Sequence, residues 1–485
     1  MSKKKKVLHI VQVIFFLMIL GAGTAAVLFG ACEGKTHSEL EKRELKAFPE
    51  VKAKDIFSGK FESDFSDALS DHTWGRDLFV TAKTWAQIVL GTREIDGVYI
   101  DGERLIETYK DSDFDDKQIR ENIADVTGFL SATANGIGPD HVKMMLVPSK
   151  CSLYRGEMPA YMATSARADT IAKELRDTLA ENLVKGEPAA DADEAGEESD
   201  EAGDDTGDDE AGSDEITDDE DDLDFDFDEG DPDAEESDES DDGDDDEFED
   251  DEEDEPEEET ITERKTLEVN KYDEASAKAA AERMIIDLRP ALRSHKTEPI
   301  YYLTDHHWTT LGAGYAYEEL QKQAAGTITG MQTETVADDF LGTDYNRIHY
   351  YQNKDEIKKV SIPEADAATA EINDSGDIIK KDSIYDPQAL QTADKYNYFF
   401  SGNYSAITVN TGAKNNKTLL IVKDSFSNSL VPYLCRDYQK IIMVDLRYVN
   451  SSIYDYLPQN ERPDDVLVVY NEEKFMQDTH QMYLK

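Results

Sequence analysis

Cysteine is scarce in this 485-residue sequence, which limits its covalent and metal chemistry. The three cysteines, Cys32, Cys151 and Cys435, lie too far apart to indicate a disulfide framework. One bridge between Cys151 and Cys435 is allowed, but we expect both to be small, buried hydrophobic residues. The nine histidines, with no dense cluster outside one short segment, offer little for a metal centre.

Basic residues are also in short supply. Lysine and arginine total 50 against 108 aspartates and glutamates, which gives a net charge of −58. Residues 191–260 hold 45 acidic residues and no basic ones, so only −13 falls on the rest of the chain. We expect no nucleic-acid partner, because the phosphate backbone would be repelled.

The acidic residues are concentrated in one low-complexity segment, residues 186–262, which is rich in Asp, Glu, Gly, Ser and Ala. Such a segment buries too little apolar surface to offset the entropy lost on ordering, so we predict a disordered, solvated insertion. A second interpretation is weak binding of calcium or of a cationic glycan. Closely spaced carboxylates supply oxygen ligands without fixed geometry.

Lys, Arg, Asp and Glu are absent from residues 7–31, a run of 25 residues that directly follows four lysines. A helix needs roughly 20 residues to span a bilayer. The lysines before the run and the acidic chain after it fit the positive-inside rule. We therefore predict a cytoplasmic tail (1–6), a transmembrane signal-anchor (7–31) that crosses the plasma membrane once, and an extracytoplasmic body.

Two other interpretations of this run remain open. A cleaved signal peptide usually has a shorter apolar core and a small-x-small cleavage site. The stretch Leu28-Phe29-Gly30-Ala31-Cys32 is similar to a bacterial lipobox, with Phe29 where an aliphatic residue is preferred, and would make Cys32 a lipidation site. All three interpretations place the body outside.

The remaining segments, 32–185 and 263–485, are predicted to form two parts of one α/β domain. Predicted helices cover 64–69, 78–90, 115–132, 166–183, 274–292, 311–323 and 427–438. Predicted strands cover 98–100, 142–147, 299–303, 418–422, 440–444 and 466–470. Short, continuously apolar strands that alternate with helices are typical of a parallel sheet covered on both faces. Residues 327–391 are polar and predict loops and short strands.

A serine follows the predicted strand 418–422, in Lys423-Asp424-Ser425-Phe426-Ser427, and a helix begins directly afterwards. A strand-to-helix turn presents such a serine at the sheet edge, beside helix N–H groups that can stabilise an oxyanion. Ser425 is therefore a candidate nucleophile. The structural alternative is that Asp424, Ser425 and Ser427 only cap the helix.

A second candidate segment, Thr304-Asp305-His306-His307-Trp308, follows the predicted strand 299–303. In an extended segment Asp305 and His307 share one face, so the aspartate can orient the histidine as a base. The alternatives are a metal site formed by Asp305, His306 and His307, or two structural histidines.

These residues resemble the bacterial DHHW proteins. The resemblance extends to motifs at Arg43-Glu44-Leu45, Phe48-Pro49, Asp71 to Arg76, Val147-Pro148-Ser149-Lys150, Lys423 to Ser427, Val431-Pro432-Tyr433 and Asp445-Leu446-Arg447-Tyr448. DHHW proteins are similar to the SGNH hydrolase-like proteins that O-acetylate alginate outside the membrane.

The resemblance implies a three-layer αβα fold with Ser425 as nucleophile, His307 as base and Asp305 as its orienter, in permuted motif order. The resemblance also implies a membrane-bound O-acyltransferase as donor partner. We expect no cofactor and no metal, since the sequence has few His and Cys residues to hold one. Lys423 stands where the related Gly-Asp-Ser pattern has glycine.

Several other residues are candidates for supporting roles in the site, and for each the alternative is a purely structural role. His306 and Asp424 lie within the two motifs. Asn471, after the strand 466–470, could approach the site or only form a turn. Arg447 could bind an acyl oxygen or pair with Asp445. Two aromatic residues, Trp308 and Tyr448, could stack on sugars, although we expect packing.

We predict an extracytoplasmic O-acetyltransferase or esterase that acts on a cell-surface or cell-wall polysaccharide. Because acyl-CoA is cytoplasmic, a membrane partner would have to supply the acyl donor. The alternative is a non-catalytic surface assembly or binding protein that keeps the fold and uses its acidic arm for contacts.

Overall fold

The computed structural model describes residues 3–33, 36–38, 43–159, 162, 165–186, 272–323, 332–374, 376–457 and 462–484. The predicted acidic insertion, 186–262, lies outside these residues except for its first position. The side chain of Cys32, the predicted alternative lipidation site, also lies outside them.

Helices and strands alternate along the described chain. The helices are α1 (Lys3–Glu33), α2 (Ala53–Phe57), α3 (Lys60–Asp71), α4 (Arg76–Val89), α5 (Asp116–Ile137), α6 (Lys150–Tyr154), α7 (Ala168–Lys185), α8 (Glu274–Met284), α9 (Arg289–Ser294), α10 (Thr310–Gln323), α11 (Thr343–Ile348), α12 (Pro363–Asp366), α13 (Ser427–Leu434) and α14 (Glu472–Gln477). The strands are β1 (His37–Ser38), β2 (Arg43–Glu44), β3 (Glu94–Ile95), β4 (Val98–Asp101), β5 (Arg104–Glu107), β6 (Val142–Val147), β7 (Ile285–Asp287), β8 (Gln332–Phe340), β9 (Asp355–Ser361), β10 (Thr369–Asp374), β11 (Asp377–Lys381), β12 (Ala406–Asn410), β13 (Thr418–Lys423), β14 (Lys440–Val444) and β15 (Asp465–Asn471).

Among the residues described together with their side chains, no helix has the length and apolar composition required to cross a membrane. The signal-anchor over residues 7–31 stays a prediction.

The main sheet has eight strands in the order β11-β10-β12-β14-β13-β15-β6-β7. The five strands from β14 to β7 are mutually parallel. The other three, β12, β10 and β11, extend the sheet in antiparallel pairing. The predicted, mostly parallel sheet is confirmed, with an antiparallel extension that the sequence analysis did not anticipate.

Both faces of this sheet are covered. Along β13, Leu419 and Ile421 belong to one hydrophobic cluster, and Leu420 and Val422 belong to the other, because successive side chains of a strand alternate between faces. Buried residues of α9, α10 and α13 complete the first cluster, and those of α5, α7, α8 and α14 complete the second. The predicted α/β class with three αβα layers is therefore confirmed.

Two predicted elements are wrong. The helix predicted over 274–292 is interrupted by β7, because the β-branched pair Ile285 and Ile286 joins the sheet edge and Pro290 begins a new helix. The strand predicted over 299–303 is only an isolated bridge between Tyr301 and Trp308. The residues between them bend instead of continuing as an extended strand.

Residues 327–391 contain more regular structure than their sequence predicts, from β8 to β11 with α11 and α12. Most of β8 and β11 is exposed, so these strands lack the apolar pattern by which a buried strand is recognised. The other predicted helices and strands are present, with ends moved by a few residues. Cys151 and Cys435 are buried and free, as expected.

Candidate active site

The turn after β13 carries Ser425, and Asp424 shapes this turn. The Asp424 Oδ1 atom accepts a hydrogen bond from the Phe426 N–H at 2.9 Å, and Oδ2 accepts one from the Asn471 N–H at 2.6 Å. The carboxylate thereby connects the end of β13 to the end of the neighbouring β15. No side chain makes a capping hydrogen bond from Phe426, the residue that precedes α13. Neither Ser425 nor Ser427 caps this helix, because Ser425 Oγ contacts His307 and Ser427 Oγ has no partner among the described residues, whereas Asp424 holds the turn that leads into it.

Residues 304–308, called the DHHW loop below, precede α10 and contact this turn. The Asp305 Oδ1 atom accepts a hydrogen bond from the backbone N–H of His307 at 2.9 Å, which folds the segment into an Asx turn. Trp308 follows as a fully buried side chain, and its indole N–H donates to the Phe426 carbonyl at 2.9 Å. The loop is thus fastened directly to the turn that carries Ser425.

Three side chains form a continuous hydrogen-bonded chain. Asp305 Oδ1 lies 2.6 Å from His307 Nδ1, and His307 Nε2 lies 2.7 Å from Ser425 Oγ. Because a carboxylate only accepts, Nδ1 carries the hydrogen and Nε2 can accept the serine proton. All three residues are nearly buried, with exposed fractions of 1%, 5% and 9% in chain order. This arrangement can activate a serine for nucleophilic attack.

Tyr396 supports the imidazole, and the sequence analysis missed it. Its ring stacks on His307 with 4.0 Å between ring centroids and 10° between ring planes. Its hydroxyl donates to the Ser425 carbonyl at 3.1 Å, so the same side chain contacts both motifs. The flanking sequence, with no regular apolar period, contains no signal that could have identified this residue.

The start of α11 donates hydrogen bonds to Asp305 Oδ2, the oxygen that does not contact His307. This is a second feature that the sequence analysis missed. Asp305 Oδ2 accepts hydrogen bonds from Thr343 N at 2.9 Å and Thr343 Oγ1 at 3.1 Å. Gly342 lies directly against the same carboxylate, where a Cβ atom would overlap the Cβ and Oδ2 atoms of Asp305. A Gly-Thr pair before a short helix is too common to have been singled out from sequence.

The DHHW protein family matches residues 259–444, a range that contains both motifs. The predicted resemblance to DHHW proteins is confirmed.

Three solved structures are similar to the chain. The crystal structure of a DHHW family protein from Eubacterium siraeum DSM 15702 has 26% identity, covers 44% of this chain and 72% of its own, and gives a TM-score of 0.37. Bacillus cereus PatB1 has 16% identity over 80% of this chain and 98% of its own, with a TM-score of 0.47. The O-acetyltransferase domain of Pseudomonas putida AlgJ has 10% identity over 79% and 93%, with a TM-score of 0.36. No curated protein matches the sequence.

Lys423, the departure from the glycine pattern, has a fully buried side chain. Its ammonium group donates to Asn403 and Asn428 at 2.8 and 2.9 Å and lies 3.4 Å from Asp445. Arg447 also pairs with Asp445, with N–O distances of 2.8 and 2.6 Å. Although burial opposes ionisation, Lys423 and Arg447 hold the pKa of Asp445 below its ordinary value. Arg447 therefore belongs to a structural ion-pair network.

Asn471 also has a structural role. Its side chain donates to the Val147 carbonyl at 3.1 Å and accepts from the Lys474 N–H at 3.1 Å, which caps α14. Of the two aromatic residues expected to pack, Trp308 is buried, whereas Tyr448 is 52% exposed. The packing expectation for Tyr448 is wrong, since it follows a short turn at the surface with Arg447 over its ring.

The alternative of a metal site uses residues of the same DHHW loop. Possible ligand atoms of Asp305, His306 and His307 lie within 4.8 Å of one another. Both oxygens of Asp305 and both ring nitrogens of His307 already make hydrogen bonds, so a cation would have to displace Ser425 from His307. The hydrogen-bond pattern favours an activated serine.

Proposed function

We propose that this protein is an O-acetyltransferase or a related esterase that acts on a cell-surface or cell-wall glycan. The observation that carries the proposal is the chain of hydrogen bonds from Asp305 through His307 to Ser425. His307 is oriented at both ends of its ring, which is the requirement for a general base beside a serine.

In the first half-reaction, Ser425 Oγ attacks the carbonyl carbon of the acyl donor while its proton moves to His307 Nε2. The Asp305 carboxylate stabilises the resulting imidazolium through Nδ1–H. The tetrahedral intermediate collapses when His307 returns the proton to the donor's leaving oxygen, which leaves Ser425 acylated. In the second half-reaction, His307 takes a proton from the acceptor hydroxyl, whose oxygen attacks the acyl carbon. The bond from that carbon to Ser425 Oγ then breaks, and His307 returns the proton to Oγ.

The oxyanion of each intermediate requires a hydrogen-bond donor beside Ser425. The Ser425 backbone N–H has no acceptor among the described residues, whereas the flanking N–H groups of Asp424 and Phe426 are both engaged. This free N–H next to the nucleophile is the donor that we assign to the oxyanion.

The membrane arrangement is part of the proposal and rests on the sequence. An anchor over residues 7–31 would hold the catalytic body outside, and a membrane-bound O-acyltransferase would supply the donor. Cell fractionation of the full chain and of a chain starting at Cys32 tests the anchor. Recovery of the full chain in the soluble fraction would contradict it.

Acylation of Ser425 tests the enzymatic proposal. Purified protein treated with an activated acetyl ester should gain one acetyl group on Ser425, and the Ser425→Ala variant should gain none. Ser427→Ala is the matched control, since its buried hydroxyl lies in the same segment and has no hydrogen-bond partner among the described residues. In the native host, Ser425→Ala should abolish glycan acetylation at unchanged protein level. Unlabelled wild-type protein would instead favour a non-catalytic surface protein.

A further inference from the structure

Exposed apolar side chains are concentrated in one stretch of the described chain, which contains α2, α3 and α4. Outside α1, 17 large hydrophobic side chains of the described residues are exposed, and 11 of them lie between residues 48 and 90. These 11 are Phe48, Val51, Ile56, Phe57, Phe65, Trp74, Leu78, Phe79, Trp85, Val89 and Leu90. A concentration of this kind on a protein surface marks a contact with a membrane or with a partner.

Five of the 11 form one face along α4 and the residue after it, which we call the α4 face: Leu78, Phe79, Trp85, Val89 and Leu90. Each is at least half exposed. At about 100° per residue they fall within an arc of about 140°, which they share only with Ala82 and Ala86. On the other side of the helix, Thr84 is buried and Ile88 packs against a small hydrophobic cluster. The helix therefore turns its apolar side away from the body, the reverse of an ordinary surface helix.

The hydrogen bonds of the N-terminal segment hold this region near the end of α1. The Leu45 N–H donates to the Thr36 carbonyl at 2.7 Å, and Thr36 follows Glu33, the last residue of α1, by three positions. Three residues of chain reach at most about 11 Å. Leu45 therefore lies close to the end of α1.

The next residue connects this point to the helices that carry the exposed apolar side chains. The Lys46 N–H donates to Asp71 Oδ2 at 3.0 Å, and the Lys46 carbonyl accepts from His72 Nε2 at 3.1 Å. Asp71 ends α3, and Trp74 lies two positions before the start of α4. The start of the α4 face is thus tied to the end of the helix that contains the proposed anchor.

The composition of this region suits the interface of a lipid bilayer. An anionic lipid surface repels a chain with a net charge of −58, but residues 48–93 carry six basic and seven acidic residues and are nearly neutral. Tryptophan is enriched at the level of the lipid headgroups, and two of the three tryptophans of the chain, Trp74 and Trp85, are exposed in this region. Both properties favour lipid as the contact.

We infer that the α4 face, together with Trp74, lies in the headgroup region of the membrane that holds the anchor. The inference rests on the anchor of the proposed function and adds a second membrane contact in the folded body. Lipid is the partner because the hydrogen bonds from Thr36 to His72 keep this apolar surface beside the end of the proposed span. An apolar helix face of this kind enters the interface by about 5–10 Å.

This contact also fixes how the active site is oriented toward the membrane. Ile88 of α4 packs against the cluster that contains Ile348 of α11. The first residue of α11, Thr343, donates a hydrogen bond to Asp305. A bilayer contact on α4 therefore holds the triad in one orientation to the surface from which a membrane partner would deliver the acyl donor.

Tryptophan fluorescence tests the contact in the full chain reconstituted into phosphatidylcholine vesicles, with and without bromine on the acyl chains. Bromine quenches a tryptophan that lies in the bilayer, and the fully buried Trp308 is the internal reference. About two thirds of the wild-type emission should be lost, since two of the three tryptophans would lie at the interface. The double variant Trp74→Phe, Trp85→Phe should lose almost none.

A second double variant separates insertion of the α4 face from mere tethering. Leu78→Glu with Val89→Glu should reduce the loss of emission by about half or more, because a carboxylate opposes entry into an apolar layer. Ile378→Glu is the matched control, since Ile378 is 57% exposed on β11, and it should be quenched as wild type. Acylation of Ser425 by a soluble ester should be unchanged in all of these variants, which shows that they are folded.

Flotation of the vesicles separates the inference from the anchor on which it rests. Every variant should float with the vesicles through residues 7–31. Wild-type protein that floats without being quenched would overturn the inference alone, and a second copy or a protein partner would then cover the α4 face. Equal quenching of wild type and of Leu78→Glu with Val89→Glu would also overturn it, because tethering alone would then explain the signal. A chain that does not float would refute the anchor and the inference together.

Discussion

Asp305 shows how much of this site depends on single atoms. Its Oδ1 atom accepts from the backbone and the ring of His307, and its Oδ2 atom accepts from the backbone and the hydroxyl of Thr343. The Asp-x-His spacing alone provides the first pair, because an Asx turn brings Oδ1 to both donors. The second pair depends on a segment 38 residues away.

Gly342→Ala should damage the site without touching a triad residue. The new Cβ would overlap Asp305, so either α11 or the DHHW loop must move. We expect a loss of about 1–3 kcal/mol in the free energy of unfolding, typical of overpacking. The rate of Ser425 acylation should fall at least about tenfold, since about 1.4 kcal/mol of misalignment has that effect. Denaturant unfolding and single-turnover acylation measure the two quantities.

Gly128→Ala is the control for this prediction, because a Cβ there meets no atom within 4 Å. It lies inside α5, where alanine is the better helix former, so stability should rise by up to about 1 kcal/mol. Equal acylation rates for Gly342→Ala and Gly128→Ala would contradict the contact between Gly342 and Asp305.

At the scale of elements, the junction of β15 and α14 buries two adjacent carboxyl groups. Glu472 lies 2.6 Å from Arg289, and Glu473 accepts a hydrogen bond from Ser149 at 2.6 Å. Burial, followed by repulsion from Glu473, raises the pKa of Glu472 to about 8, and burial also raises the pKa of Glu473. The two groups titrate together, so the pair as a whole keeps a proton at neutral pH.

This pair predicts a pH dependence of stability. The unfolded carboxyls release their protons near pH 4.3, whereas the folded pair holds one up to about pH 8. The stability gained from that proton is complete below about pH 4.3 and is lost as pH rises through 8. Glu473→Gln removes the repulsion, so the unfolding free energy between pH 6 and 8 should fall less steeply than in wild type, by on the order of 1 kcal/mol per pH unit.

Denaturant unfolding at several pH values measures this difference. Glu121→Gln is the control, since Glu121 is half exposed and, among the described residues, forms an ion pair with Lys117 alone on the surface of α5. Its stability should follow the wild-type pH dependence. A Glu473→Gln curve parallel to the wild-type curve would show that the pair shares no proton.

At the scale of the whole molecule, the acidic segment is inserted in the sequence between α7 and α8, which pack against each other. The Tyr272 N–H lies 3.4 Å from the Leu183 carbonyl, and buried residues of α7 and α8 share one hydrophobic cluster. The two described ends of the insertion are therefore neighbours, and a short connection could join them.

Replacing residues 187–271 with a linker of about eight glycines and serines should leave the fold intact. Shortening the loop lowers the entropic cost of closing it, so the free energy of unfolding should stay the same or rise by up to about 2 kcal/mol. Ser425 acylation should be unchanged. A Gly/Ser stretch of the original length is the control that separates loop length from charge. Lost stability or lost acylation in both variants would assign the acidic segment a part in the fold.

The sequence by itself determined both motifs and four of the five parallel strands, namely β6, β13, β14 and β15. Continuous apolar runs such as residues 419–422 predict buried strands, and polar turns at their carboxyl ends predict a functional site. Both signals are local, because they depend on the side chains of one short segment. Local patterns and the resemblance to DHHW proteins also predicted that Asp305, His307 and Ser425 lie together. Their catalytic role remains a proposal.

Only the tertiary structure decided which distant residues complete the site. Gly342, Thr343 and Tyr396 lie in segments without an apolar period, and their contacts with Asp305 and His307 exist only once the chain has folded. The same holds for β7, where packing against β6 overrides the helical preference of the surrounding residues. Local patterns record what each segment prefers, whereas contacts between distant segments depend on packing that no short window of sequence contains.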